Sequence, residues 1–234
     1  MTENKFSNSE KTQVLKDKLV EARSDQQTLN ELFQSMIPEL LNLALNSTEN
    51  PFVEEINDHG TIGGKDVAVV EQRMRPGEYS DSGFIANGQN LVDILEADQT
   101  LVANLGLTHR QVVEPLQIAF GEYVNRMFNK EREAGVFTFE FNNQKFRVEV
   151  IATRGFQETP FFDNADMKGH WLLCTHAGGT MTFSKEDGET LIISPLLIHL
   201  IRDYGFYEGE VPYRVSPLEI AEFFGMVEQP PSTE

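Results

Sequence analysis

Val136-Phe137-Thr138-Phe139-Glu140-Phe141-Asn142-Asn143-Gln144-Lys145-Phe146-Arg147-Val148-Glu149-Val150 is the stretch whose reading decides the fold. Phe137, Phe139 and Phe141 alternate with Thr138 and Glu140, so one side of an extended chain is aromatic and the other polar. That period of two marks a half-buried strand. Asn142-Asn143 then supplies two residues that tolerate positive φ, as a tight hairpin requires. The return run repeats the pattern, with Phe146, Val148 and Val150 on one side and Arg147 and Glu149 on the other. The reading is an antiparallel hairpin.

Toward the C-terminus, a loop from Gly155 to Gly169 precedes Trp171–Thr175, a nearly continuous apolar run expected to be a third strand that Gly178-Gly179 breaks. Thr180–Ser184 and Glu189–Ile193 flank Lys185-Glu186-Asp187-Gly188, whose Asp-Gly pair signals a second hairpin. Ser194 then offers an N-cap, Pro195 a first helical residue that lacks only an unpaired donor, and Gly205 a left-handed stop. Between them the helix is apolar on most sides, leaving His199, Arg202 and Asp203 on one stripe. Ser216-Pro217-Leu218-Glu219 is a capping box that opens a short last helix ending at Gly225. Residues 227–234 read as a disordered tail.

Toward the N-terminus the period changes to that of helices. Ser7 with Glu10 and Ser24 with Gln27 resemble capping boxes, and Leu29–Leu45 carries a broad apolar face interrupted by Pro38. Such helices would cover one face of the sheet or pair with a second copy in a homodimer. Glycines and prolines punctuate residues 46–90 densely, and only Lys65–Arg73, with Val67, Val69 and Val70, reads as a strand there. Leu91 begins another helix. Thr108 with Gln111 caps a longer one that Pro115 should bend and Gly135 should end. The expected fold is α+β. A mainly helical region at 8–134, with a loop-rich insert at 46–90, packs with an antiparallel meander of about five strands and two short C-terminal helices at 135–226.

The chain of 234 residues carries a formal net charge of −18. Nucleic-acid binding needs basic patches that displace counterions, so a nucleic-acid partner is disfavoured. No apolar run reaches the roughly 20 residues that span a bilayer, and no secretory leader is apparent. A single cysteine, Cys174, rules out an internal disulfide framework, and the expected location is the cytoplasm.

Three groups of residues could carry chemistry. Leu101–Leu116 resembles part of a helix-turn-helix, with Leu105–Thr108 as the turn and His109, Arg110 and Gln111 available to a groove. Val102 stands where that motif favours alanine, and Pro115 interrupts its second helix. Cys174 and His176 share one side of a strand and could hold a metal such as zinc; His170 lies roughly 13 Å away, too far to share the ion. The third group is the helical stripe. His199 with Asp203 could form an oriented general base, and Arg202 could clamp an anion. Tyr204, Tyr207 and Tyr213 could wall a pocket beside it. No cofactor is implied by any loop or motif. The expectation is a non-catalytic binding or protein-interaction module. Its rivals are a small hydrolase or transferase built on His199 and Asp203, and a DNA-binding regulator.

Overall fold

The structure is a computed structural model that describes residues 56, 60–62, 64–157, 159–161 and 176–227. The helices expected before residue 46, the strand Trp171–Thr175, His170, Cys174 and residues 228–234 lie outside this set, so the homodimer and metal expectations resting on them are untouched.

The decisive hairpin forms as read. β3 (Val136–Phe141) pairs antiparallel with β4 (Gln144–Gln157), with Phe139 opposite Phe146. Asn142 and Asn143 take φ of 48° and 60°, the two left-handed residues of a type I′ turn. β4 runs seven residues beyond Val150, with a bulge between Ala152 and Phe156. β5 (His176–Ser184) follows, and it contains Gly178 and Gly179 rather than being broken by them. Pairing with β4 on either side, Ala177 opposite Phe156 and Gly179 opposite Ala152, carries the strand through Gly178, which falls at the bulge. The Asp187-Gly188 turn leads into β6 (Thr190–Ile193), giving a four-stranded meander ordered β3-β4-β5-β6. β1 (Thr61–Ile62) and β2 (Lys65–Asp66) form a separate two-stranded hairpin.

The valine-rich strand at Lys65–Arg73 is corrected. Val67–Met74 is helix α1, because Asp66 accepts the Ala68 N–H at 2.8 Å and caps it. Val70 and Met74, one turn apart, are then buried, while Val69 stays 47% exposed. A cap and a helical burial period override valine's preference for strands.

α2 (Leu91–Asn104) is capped by Asn90, and α3 (His109–Phe128) by the expected Thr108–Gln111 box. α3 continues through Pro115 and stops at Asn129, short of Gly135. Lys130, at φ 57°, makes the left-handed turn, and Glu131 N–H closes it on the Arg126 carbonyl at 3.1 Å. A lysine thus does what the glycine was expected to do. α4 (Pro195–Tyr204) carries its predicted Ser194 cap and Gly205 stop, the latter at φ 62°. α5 (Pro217–Phe223) opens with the predicted Ser216–Glu219 box.

α4 is apolar on two sides because it separates two hydrophobic clusters. Leu197, Ile198 and Ile201 face the sheet, joining Phe137, Phe139, Val148, Met181 and Phe183 together with α3 and α5. Leu196, Leu200 and Tyr204, spaced four apart, face Ile62, Met74, Phe84, Ile85 and Phe161. On the sheet's opposite side Val136, Glu149, Thr182 and Ile192 stand in one cross-strand row. Ile151 lies one row on, opposite Thr180. Among the described residues no helix is long and apolar enough to cross a membrane.

Candidate functional site

The α4 stripe is assembled, with His199 buried and Arg202 and Asp203 partly exposed. His199 is 3% exposed, and its Nδ1 lies 2.7 Å from Asp203 Oδ2 one turn later. Arg202 donates to the same carboxylate twice, Nε to Oδ1 at 2.5 Å and Nη2 to Oδ2 at 2.7 Å. Nη2 also lies 3.0 Å from His199 Nδ1. One ring nitrogen cannot donate to the carboxylate and accept from the arginine together, and the shorter, charge-assisted contact prevails. Burial alone would raise the Asp203 carboxyl. The hydrogen bonds from Arg202 and His199 more than offset it and hold Asp203 well below the ordinary carboxylate range. Arg202 therefore turns onto its own neighbour through two nitrogens.

The tyrosines expected to wall a pocket lie in three separate places. Tyr204 is core, stacked on Phe161 with centroids 3.8 Å apart. Tyr207 is fully buried in the other cluster, against His109. Tyr213 is 68% exposed. The strand that carries His176 is present, while Cys174 lies outside the described residues. Among the described residues no group of three His, Cys, Asp or Glu side chains could hold a metal ion.

His109 does not face a groove. It is 5% exposed, with Nε2 2.7 Å from Gln99 Oε1 and Nδ1 3.0 Å from Tyr207 Oη. Because Gln99 Oε1 only accepts, Nε2 carries the proton and Nδ1 accepts from the tyrosine. Burial lowers His109 to about 4, which keeps the ring neutral at ordinary pH. Gly205 is essential to this arrangement: a Cβ there would stand 2.9 Å from His109 Nε2. Gln111, the third residue offered to a groove, is occupied in the α3 cap.

A second buried group adjoins this one and was not legible beforehand. Asp98 on α2, 1% exposed, pairs with Arg214 through both carboxylate oxygens. Burial pushes the Asp98 carboxyl up, against the pull of Arg214 and of the Tyr207 backbone N–H. Arg214 also donates to the Glu208 carbonyl. Glu208 is 6% exposed, and burial raises its carboxyl to about 7 despite Arg214. Asp98 on α2 and His109 on α3 lie about a hundred residues before Tyr207, Glu208 and Arg214, so no local spacing announces the group.

No protein-family profile matches the chain, and neither a curated protein nor a solved structure matches it.

Proposed function

We propose that the chain is a non-catalytic protein-binding module whose docking face is the open side of the four-stranded sheet. The observation that carries this reading is the outward row itself. Ile151 and Ile192 are each 55% exposed and Val136 is 39% exposed, set among Thr138, Thr180, Thr182 and the Arg147–Glu149 ion pair on strands whose other face is core. The three apolar side chains stand apart on one rigid face, with Glu149 and Thr182 between Val136 and Ile192, so the surface offered is a mixed apolar and polar one. The partner implied has an apolar centre and a basic rim, because a chain of net charge −18 steers cationic surfaces toward itself.

The enzyme reading has one observation in its favour, the His199–Asp203 contact at 2.7 Å, which is the orientation a general base needs. Against it stands Arg202, which donates twice to that carboxylate instead of offering an anion site.

The test is the double substitution Ile151→Glu, Ile192→Glu. Both positions face solvent, so the helical and strand content and the thermal midpoint should hold. In native extracts at low ionic strength the wild-type chain should migrate in a larger species than the purified chain does. That species should dissociate at about 0.5 M salt, where exposed charges are screened within a few ångströms. The variant should migrate as the free chain. Identical migration of wild type and variant would remove the sheet face from the account.

A further inference from the structure

The segment from Phe206 to Gly209 follows α4 directly and is buried along its whole length. It is clamped from one side by residues 84–89: Gly209 N–H donates to the Phe84 carbonyl at 2.7 Å, and Glu210 N–H to Gln89 Oε1 at 2.7 Å. On its other side lie α2, α3 and Arg214. Within this clamp Glu208 combines two features. Its φ is +67°, a backbone region that a non-glycine residue occupies under strain. Its carboxyl oxygens accept no hydrogen bond from any described residue, although the residue is 6% exposed. Every fully buried side-chain nitrogen or oxygen among the described residues has a partner, so those oxygens keep a narrow contact with solvent. That contact is a route for proton exchange.

The charged neighbours are few. Arg214 acts on the Glu208 carboxyl but directs its guanidinium to Asp98 and to the Glu208 carbonyl. From α3 the titratable group is His109, which faces Tyr207, and Glu210 is exposed on the segment itself. Residues 84–89 carry no charge. Nothing beyond Arg214 is placed to stabilise an ionised Glu208, and Arg214 already serves Asp98.

We propose that Phe206–Gly209 is a pH-operated latch, closed while the Glu208 carboxyl is neutral and loosened when it ionises. The direction follows from linkage. Burial raises Glu208 to about 7 from an ordinary value of 4.5, so the closed form binds the proton more tightly than the open one. Closure is then fully favoured below about 4.5 and is lost as pH rises through about 7. His109, lowered to about 4, works in the opposite sense between there and its ordinary 6.5, which masks the effect at lower pH.

Hydrogen exchange of the full chain, expressed as protection factors for the peptide spanning 204–215, separates the two. Between pH 6 and pH 8 the wild type should lose about tenfold in protection relative to Glu208→Gln, the ratio that a shift from 4.5 to about 7 implies. Glu208→Gly, which also relieves the strained φ, should follow the glutamine variant and serves if that variant does not fold. A profile in either variant as steep as the wild type's would overturn the latch.

Discussion

Arg214→Met should destabilise the fold by about 3 kcal/mol at neutral pH, because it leaves Asp98 a buried carboxylate without its cation. Asp98 is 1% exposed on α2, and Arg214 meets both its oxygens while also holding the Glu208 carbonyl. Methionine keeps the length of the arginine stem, so the loss reports the charge and its hydrogen bonds more than the packing. The deficit should shrink toward pH 5. Asp98 is already pushed upward by burial, so its neutral form is the one the interior favours, and that form fills as pH falls. Adding Asp98→Asn should recover part of the deficit at pH 7, since the orphaned charge is then gone. Urea unfolding of the two variants at both pH values measures this. A loss below about 1 kcal/mol, or one independent of pH, would mean the pair behaves as a surface ion pair.

Phe224→Ala should cost about 3–5 kcal/mol, the range for deleting a buried aromatic ring. Phe224 is fully buried just after α5, with ring centroids 4.9 Å from Phe146, 5.1 Å from Phe223 and 5.4 Å from Phe183. Phe139 and Phe141 approach it edge-on at 6.2 and 6.1 Å. One substitution therefore strips contacts from three strands and the last helix together. Phe224→Leu should cost distinctly less, because it refills much of the cavity. If the alanine variant unfolded at the same denaturant concentration as wild type, α5 would not be docked on the sheet as described.

What was legible in the sequence follows a physical boundary. Features written in a few consecutive residues were readable: the Phe/Val alternation of β3 and β4, the Asn142-Asn143 turn, and the Ser194 and Ser216 caps. Features decided by tertiary pairing were not. Gly178-Gly179 reads as a break, yet the neighbouring strand pairs with Ala177 and Gly179 and the strand runs through. Lys65–Arg73 reads as a strand, yet Asp66 caps a helix whose buried residues, Val70 and Met74, are four apart. The stop of α3 at Lys130 relied on a non-glycine residue in a left-handed conformation, which composition does not signal.

The site divides the same way. His199, Arg202 and Asp203 were found because they share one helix, whose period alone brings them together. What their spacing could not reveal was the burial of His199, since α4 is sandwiched between two clusters instead of lining one. The network of Asp98, His109, Tyr207, Glu208 and Arg214 joins residues more than a hundred positions apart, as the 116-residue separation of Asp98 and Arg214 illustrates. Only the fold assembles it.

The central claim, that the open sheet face receives a protein partner, is tested most directly by position-specific photo-crosslinking in cells. A photoreactive side chain placed at position 192 should give a discrete adduct that disappears with Ile151→Glu and weakens at high salt. The same group at position 203, within the α4 stripe, should give none. An absence of adduct from 192, whether or not 203 yields one, would contradict the account.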